Sequence, residues 1–203
     1  MQSSRQRSRR RRGARRTLQP TARVAILAGG RGTRLAPHTS VLPKPLMPVG
    51  GRSILEIIVR QLASQGFTEI TLCVGHLSHL IRAVLDTLAD QRARISYVYE
   101  HGALGTAAPL RLIGPIDETF ITMNADILTT LDGRDLLRMH RESGNVLTIA
   151  TRKRIVEMDY GVVHLDGAMS DDLLRRVTGY EEKPEIVTTV SMGIYAVEPR
   201  ALD

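Results

Sequence analysis

The chain has 203 residues, of which 42% are apolar and 3% aromatic, and this composition suits one globular domain with a short extension. No apolar run approaches the roughly 18 residues that a membrane-spanning helix needs, so we expect no membrane span. The formal net charge is +7, but residues 1–23 hold nine arginines and no acid, which leaves 19 basic against 21 acidic side chains in the rest. The globular part is therefore not basic, which argues against a nucleic-acid-binding domain.

Residues 1–22 form an arginine-rich tail that lacks apolar periodicity, and this composition predicts disorder. No aromatic or apolar side chain is interleaved with the arginines, which favours a solvated extension over a polyanion-binding arm or an organelle transit peptide. The predicted domain then spans residues 23–203. The single cysteine, Cys73, excludes an internal disulfide and is typical of a reducing compartment, so we expect a cytoplasmic protein.

Strand and helix patterns alternate from residue 23 to about residue 145. The apolar run 23–28 ends in glycines and is typical of a buried strand in a parallel sheet. Ser53 and Glu56 form a capping box that predicts the start of a helix, which Gly66 ends. The same patterns predict strands at 69–74, 95–99 and 120–123 and helices at 80–88 and 133–141. This alternation predicts an α/β three-layer sandwich around a mostly parallel sheet with right-handed crossovers.

The pattern changes after about Asn145 to shorter strand-like segments. These segments are 147–151, 161–165, 177–180 and 190–197. They predict hairpin-like additions on one edge of the sheet, over the ends of the parallel strands. Because ligands in open α/β sheets bind beyond the carboxyl ends of the strands, we expect the functional site there.

A glycine-rich segment, LAGGRGTRL at residues 27–35, follows directly from the first strand. Its glycines are Gly29, Gly30 and Gly32. They allow backbone N–H groups to approach an anion closely, and Arg34 and Lys44 add two cations. Such a loop suits a triphosphate, whose leaving pyrophosphate must be stabilised. The P-loop pattern is absent, and Leu35 replaces the third glycine of a dinucleotide fingerprint.

The glycine-rich segment, with the Pro-Lys-Pro around Lys44, resembles the signature of the nucleoside-diphosphate-sugar pyrophosphorylases. These enzymes are sugar-1-phosphate nucleotidyltransferases. Within the family, the chain resembles the mannose-1-phosphate guanylyltransferases. The resemblance implies a Rossmann-like mixed sheet and a loop that cradles the triphosphate. It implies that Arg34 stabilises departing pyrophosphate and that Lys44 contacts phosphate oxygens. The nucleotide contacts that it implies in this loop are Ala28, Gly29, Gly30, Gly32 and Thr33.

Residues 100–108, EHGALGTAA, resemble the second motif of the same family, which lies at the nucleotide base. The resemblance implies that Glu100 lies near the Watson–Crick edge and that Gly105 lets the base approach closely. Guanine presents two N–H donors, which suit a carboxylate, whereas a uracil or thymine edge suits a glutamine. Glu100 therefore favours GTP. The alternative is a solvated glutamate at a strand end.

Asp126 ends the segment 122–126, which resembles the family's Asn-Gly-Asp, and the resemblance implies that this carboxylate binds Mg²⁺. The family's second metal aspartate comes from a Trp-x-Asp-x-Gly segment further on, and this chain has no tryptophan, so we expect either that another group substitutes or that the protein is incomplete. Cys73, His76 and His79 are spaced three residues apart. No fourth ligand follows them, so we expect no zinc site there.

Two later segments, residues 160–163 and residues 182–184, resemble the sugar-binding segments of the family. The resemblance implies that Gly161 approaches the sugar, that Glu182 binds its hydroxyls and that Lys183 binds its phosphate. In isolation, the run from Glu182 to Pro184 is typical of an exposed turn. Ser191 begins a segment that usually begins with asparagine in the family.

These motifs predict in-line attack of a sugar 1-phosphate on the α-phosphorus of an NTP, which gives an NDP-sugar and pyrophosphate. Arg34, Lys44 and Lys183 would neutralise charge together with Mg²⁺. One alternative is a catalytically silent, truncated nucleotide-sugar-binding or partner subunit. Another is the related molybdopterin or phosphocholine nucleotidyltransferases, against which the segments around Lys183 and Ser191 argue. A homo-oligomer stays open.

Overall fold

The computed structural model describes residues 22–30, 32, 39, 41–87, 92–100, 105, 107–167 and 174–202. None of the helices in this part of the chain is both long and apolar enough to cross a membrane. The helices and strands are, in chain order, β1 Val24–Ala28, β2 Pro48–Val49, β3 Arg52–Ser53, α1 Ile54–Ser64, β4 Glu69–Val74, α2 Ser78–Asp86, β5 Arg94–Tyr99, β6 Phe120–Asn124, α3 Gly133–Ser143, β7 Leu147–Glu157, β8 Val162–Leu165, β9 Val177–Glu181 and β10 Glu185–Val197. Within the described residues, short 3₁₀ helices cover Lys44–Leu46, Ala108–Ile113 and Pro199–Ala201.

Six strands form one mixed sheet in the order β5-β4-β1-β6-β10-β7. The first four of these strands are parallel, and β10 runs antiparallel to both β6 and β7. The predicted mostly parallel mixed sheet is therefore confirmed. Two of the four late strands, β10 and β7, join one edge of this sheet beyond β6, as the change of pattern after Asn145 predicts.

The two faces of the sheet bury different amounts of apolar surface. Helices α1, α2 and α3 cover one face, where Val24 and Ile26 of β1 are fully buried in the main core. The other face carries a smaller cluster in which Ala25 packs with Leu110, from the 3₁₀ helix Ala108–Ile113. Both faces of β1 are thus covered, which is why its sequence is apolar throughout. The three layers are present, and the second outer layer is thin in the described residues.

The predicted limits of the early elements hold closely. The hydroxyl of Ser53 accepts a hydrogen bond of 3.1 Å from the backbone N–H of Glu56, which is the first half of the predicted capping box at α1. Gly66 follows α1 with a φ of 95°, a left-handed conformation that glycine tolerates best. Helix α2 begins at Ser78, two residues earlier than predicted, after Leu77 in the left-handed region.

Strands β7 and β10 are both longer than their sequence patterns predict. Residues 194–197 of β10 pair with β6, and 195–197 also pair with β7, whereas residues 185–191 pair with β7 alone. Residues 151–157 and 185–191 therefore form a two-stranded ribbon that continues past the end of β6. Six further register steps correspond to about 20 Å of strand. Strands β8 and β9, which lie between β7 and β10 in the chain, form a separate antiparallel hairpin.

Candidate functional site

The parallel strands β1, β4, β5 and β6 all end at the same edge of the sheet, which we call the carboxyl edge. A residue with a predicted function follows three of these four strands. Gly29 follows β1, Glu100 follows β5, and Asp126 follows β6 after Ala125. The structure therefore brings together residues that are up to 97 positions apart, because parallel strands present their carboxyl ends side by side.

The carboxylate of Glu100 lies directly over the α-carbon of Gly29. A methyl group placed on Gly29 would be 2.5 Å from the Glu100 carboxyl carbon, so only glycine leaves room for this arrangement. Burial raises the pKa of the Glu100 carboxyl. The charged form of Glu100 thus gains from any hydrogen-bond donor that a ligand brings to it.

Gly75, which follows β4, is a site residue that the sequence reasoning missed. Strand β4 lies between β1 and β5, and a β-carbon on Gly75 would be 3.0 Å from the carbonyl oxygen of Gly29. The absence of a side chain at Gly75 therefore leaves room for the backbone of Gly29. A glycine at the end of an apolar strand, as at β1, was the available signal.

The rest of the glycine-rich segment is described at Gly30 and Gly32, whereas Thr33 and Arg34 lie outside the described residues. Gly32 has a φ of 62°, and its carbonyl oxygen accepts a hydrogen bond of 2.9 Å from the hydroxyl of Thr39. A β-carbon on Gly32 would be 3.5 Å from the β-carbon of Lys44. The stem of Lys44 thus lies beside the glycine-rich segment, as the prediction for these residues requires.

Lys44 and Asp126 form an ion pair across the carboxyl edge. Lys44 begins a 3₁₀ helix whose next two residues, Pro45 and Leu46, are buried, so the backbone at Lys44 is anchored in the core. Its side chain is 39% exposed and that of Asp126 is 26% exposed. A cation predicted to bind phosphate and a carboxylate predicted to bind metal therefore meet in one place.

Asp126 fits a magnesium site in which phosphate supplies other ligands. No three His, Cys, Asp or Glu side chains in the described part of the chain are grouped so that they could hold a metal ion alone. Mg²⁺ usually keeps several waters and binds through one or two carboxylates together with substrate phosphates. The single carboxylate at Asp126, beside the glycine-rich segment, matches that donor set.

Cys73 has no part in this site chemistry. Its thiol is buried in β4 and lies 3.8 Å from the carbonyl oxygen of Pro109, to which it donates a weak hydrogen bond. Burial, and then the charge of Glu100, raise the pKa of this thiol to about 12. Cys73 is thus held as a neutral thiol, which is a poor metal ligand and a poor nucleophile.

The predicted sugar-site residues lie around the hairpin of β8 and β9. The ring of Tyr180 lies over the α-carbon of Gly161, and its hydroxyl donates to the carboxylate of Glu182. Lys183 follows with a φ of 45° and an exposed side chain. Within the described residues, no hydrogen bond or ion pair joins Gly161, Glu182 or Lys183 to Glu100, Lys44 or Asp126. Gly105 is exposed, with a φ of 84° and open space around its α-carbon.

A bulge in β10 brings a further glycine to the carboxyl edge. The register of β10 with β7 shifts between Ser191 and Tyr195. Within this bulge, Gly193 has a φ of 70° and donates its N–H to the hydroxyl of Ser191 at 3.1 Å. A β-carbon on Gly193 would be 2.6 Å from the side-chain amide of Asn124. Sequence reasoning identified Ser191 but missed the contact of Gly193 with Asn124, because nothing local links positions 69 residues apart.

Comparison with known proteins agrees with this geometry. Residues 23–203 match the nucleotidyl transferase family. The chain belongs to that family. A UTP–glucose-1-phosphate uridylyltransferase of Synechocystis sp. is 32% identical over 200 residues, and a mannose-1-phosphate guanyltransferase of Aspergillus fumigatus is 36% identical over 188 residues. Each match covers 89% of this chain and 50% of the relative, so the chain spans about half the length of these curated relatives.

The crystal structure of HddC from Yersinia pseudotuberculosis has the same fold. It superposes with a TM-score of 0.67 at 22% sequence identity, and the match covers 90% of this chain and 79% of HddC. Nucleotidyl transferases of this family generally use a divalent metal ion. The resemblance to sugar-1-phosphate nucleotidyltransferases seen in the motifs is thus confirmed at the level of family and fold.

Proposed function

We propose that this chain transfers a nucleotidyl group from an NTP to a sugar 1-phosphate and releases pyrophosphate. One observation carries the proposal: Lys44, whose β-carbon lies beside Gly32, forms an ion pair with Asp126 at the carboxyl edge, where Gly29 also lies. This arrangement supplies a cation for phosphate oxygens, a carboxylate for a metal ion and backbone that an anion can approach closely. The predicted role of Arg34 in stabilising pyrophosphate belongs to the same proposal.

The residues of this site would act by positioning and by charge. The backbone of Gly29, Gly30 and Gly32 would hold the triphosphate, and the ammonium group of Lys44 would contact its oxygens. Asp126 would hold Mg²⁺, which when bound neutralises charge on the phosphates. The sugar phosphate is largely a dianion at neutral pH, so its attack on the α-phosphorus needs no general base from the protein.

Glu100 favours GTP as the nucleotide. Its carboxylate is partly buried against Gly29 at the end of β5, where two N–H donors of guanine would satisfy it. Such donors stabilise the charged carboxylate, whose pKa is raised by burial in the free protein. Relatives with guanyltransferase and with uridylyltransferase names both match, so the base specificity rests on Glu100 in this proposal.

The sugar 1-phosphate would be bound from the side of the ribbon. The ribbon continues past the end of β6, on the side of the carboxyl edge. Glu182 and Lys183 lie in the chain between β9 and β10, which is the second strand of the ribbon. We propose that Gly161 and Glu182 contact the sugar and that Lys183 binds its phosphate.

The test is release of pyrophosphate by the full chain with Mg²⁺, a panel of GTP, UTP, dTTP, ATP and CTP, and mannose 1-phosphate or glucose 1-phosphate. We expect product with GTP and mannose 1-phosphate. Asp126→Asn should lower the rate by at least about 100-fold, which is typical for loss of one group that stabilises transition-state charge. The matched control is Asp117→Asn, because Asp117 is exposed just before β6 at the opposite edge of the sheet. Absence of product with every pair would refute the proposal.

A second variant tests the base. Glu100→Gln offers an amide that suits the acceptor–donor–acceptor edge of uracil. We expect the ratio of kcat/KM for GTP to that for UTP to fall by at least about tenfold, or about 1.4 kcal/mol. An unchanged ratio would show that Glu100 does not contact the base.

A further inference from the structure

The ammonium group of Lys44 binds the carboxylate of Asp126, which is the proposed ligand of the metal ion. In the described part of the chain, Lys44 is the side chain that bonds to Asp126, and Asp126 is the side chain that bonds to Lys44. A Mg²⁺ ion binds carboxylate oxygens at about 2.0–2.1 Å and demands near-octahedral geometry. An ammonium group in contact with the same carboxylate competes with the ion for oxygen lone pairs and also repels it.

The ion pair is of a kind that a ligand can open. Both side chains are partly exposed, and ion pairs that solvent reaches contribute little to stability. The stem of Lys44 is flexible, whereas its backbone is fixed by the buried Pro45 and Leu46. The β-carbon of Lys44 lies near Gly32, so the ammonium group can turn towards an anion in the glycine-rich segment without movement of the backbone.

We infer that Lys44 blocks Asp126 in the ligand-free protein, so that a divalent cation alone binds weakly and binds well only when a polyphosphate has drawn Lys44 away. The polyphosphate and the metal ion would therefore bind with positive cooperativity, each favouring the state in which the ion pair is open. This inference rests on the proposed function for the identity of the anion. It goes beyond that function because it assigns Lys44 a second role, as a competitor of the metal ion.

The experiment measures binding of Mn²⁺ alone to the full chain, without nucleotide, from the loss of the electron paramagnetic resonance signal of free aqueous Mn²⁺. Lys44→Gln removes the competing charge, and we expect it to tighten Mn²⁺ binding by about tenfold. Lys153→Gln is the matched control, because Lys153 is exposed on the ribbon and its loss changes the net charge equally. We expect it to change the Mn²⁺ affinity by less than about twofold.

A double variant ties the effect to the carboxylate. If Lys44 competes at Asp126, the gain from Lys44→Gln must vanish in the background of Asp126→Asn, since additivity fails only for groups that interact. Equal Mn²⁺ affinities of the wild type and Lys44→Gln, or a gain that persists in Asp126→Asn, would overturn the inference. Thermal unfolding checks that each variant is folded, and Lys44→Met, which keeps the apolar stem, replaces Lys44→Gln if the latter fails to fold.

The outcome is separable from that of the proposed function. Tighter Mn²⁺ binding by Lys44→Gln, together with no pyrophosphate from any NTP in the wild type, would support competition at Asp126 and refute the transferase proposal. Pyrophosphate release with no change in Mn²⁺ affinity would support the transferase and refute the competition.

Discussion

The parallel strands and the later antiparallel strands of this chain are stabilised in different ways. In β1 and β4, side chains such as Ile26 and Leu72 are fully buried between helices and the rest of the sheet. In β7, Ala150 is the buried residue, and residues 151–157 are all exposed. The proposed nucleotide-binding residues therefore lie on strands that are stabilised by a buried core. The proposed sugar-binding residues lie next to strands that are stabilised mainly by pairing with each other.

The later strands also expose many apolar side chains. These are Leu147, Ile149, Ile155, Val156, Val163, Leu165, Val177, Tyr180, Ile186 and Val187. Most lie on the ribbon or on the hairpin of β8 and β9, where β-branched and aromatic side chains face solvent. The apolar surface that the ribbon and this hairpin bury is therefore small, and their unfolding should cost less free energy than that of the parallel strands.

The largest expected difference comes from one substitution made in both regions. Ile26→Ala, in β1, leaves a cavity in the main core and should lower the free energy of unfolding by about 2–5 kcal/mol. Ile155→Ala, at a position that is 56% exposed on the ribbon, should change it by less than about 0.5 kcal/mol. Urea denaturation of both variants measures this, with unchanged m-values as the check on two-state behaviour. Equal losses would mean that the ribbon is covered in solution.

Sequence patterns predicted the parallel half well because its signals are local. The capping hydroxyl of Ser53, the stop at Gly66 and the apolar run of β1 each act within one or a few turns of chain. Strand β4 begins and ends as predicted, at Glu69 and Val74, since burial on both faces requires a mostly apolar segment.

The same reasoning could not predict the ribbon or the contacts of the site. Residues 152–154, Arg-Lys-Arg, show no alternation, and their strand exists only because 188–190 pair with them. The ion pair of Lys44 with Asp126 joins residues 82 positions apart, and motif order alone indicates neither the pair nor the competition that it implies. Long-range pairing is set by packing of the whole chain, which local propensity does not contain.

A smaller effect is expected from two glycines, one in each region, that each lie under a larger side chain. Gly29 lies under Glu100, and Gly161 lies under Tyr180. Neither has a positive φ, so alanine introduces no backbone strain at either position. Gly29→Ala displaces the Glu100 carboxylate and should weaken binding of GTP by about tenfold, or about 1.4 kcal/mol.

Gly161→Ala is the matched comparison. Tyr180 is 63% exposed, so its ring can turn aside at little cost, and binding of GTP should change by less than about twofold. Calorimetric titration of GTP with Mg²⁺ into both variants provides the measurement. A similar loss of affinity in both would contradict the division of the site between the two regions.

The smallest expected effect concerns the network that joins the two regions at the opposite edge of the sheet. Glu198, after β10, accepts a hydrogen bond of 2.5 Å from Thr119, which precedes β6, and lies 3.0 Å from Nε2 of the buried His140 in α3. The other ring nitrogen of His140 is 2.7 Å from the hydroxyl of Thr148 in β7. One polar cluster therefore joins the parallel strand β6 and the helix α3 to the late strands β7 and β10.

The hydrogen bond from Thr119, and then those with His140, hold the pKa of the Glu198 carboxyl below its usual range, although burial opposes them. Because the folded pKa is the lower one, Glu198 stabilises the fold above its unfolded pKa of about 4.3, and this contribution is lost as the pH falls through the folded value. Glu198→Gln should therefore lower the free energy of unfolding by about 1 kcal/mol at pH 7, as expected for a partly exposed charge-assisted hydrogen bond.

The pH dependence of the free energy of unfolding shows whether Glu198→Gln acts through loss of the charge or through a change in packing. The difference between the wild type and Glu198→Gln should shrink as the pH is lowered from about 5 to 3, because the wild-type carboxyl then becomes protonated and resembles the amide. Urea denaturation at pH 7, 5, 4 and 3 measures it. A difference that stays constant over this range would mean that Glu198 joins the two regions through packing, and that its charge contributes nothing to holding the late strands against the parallel core.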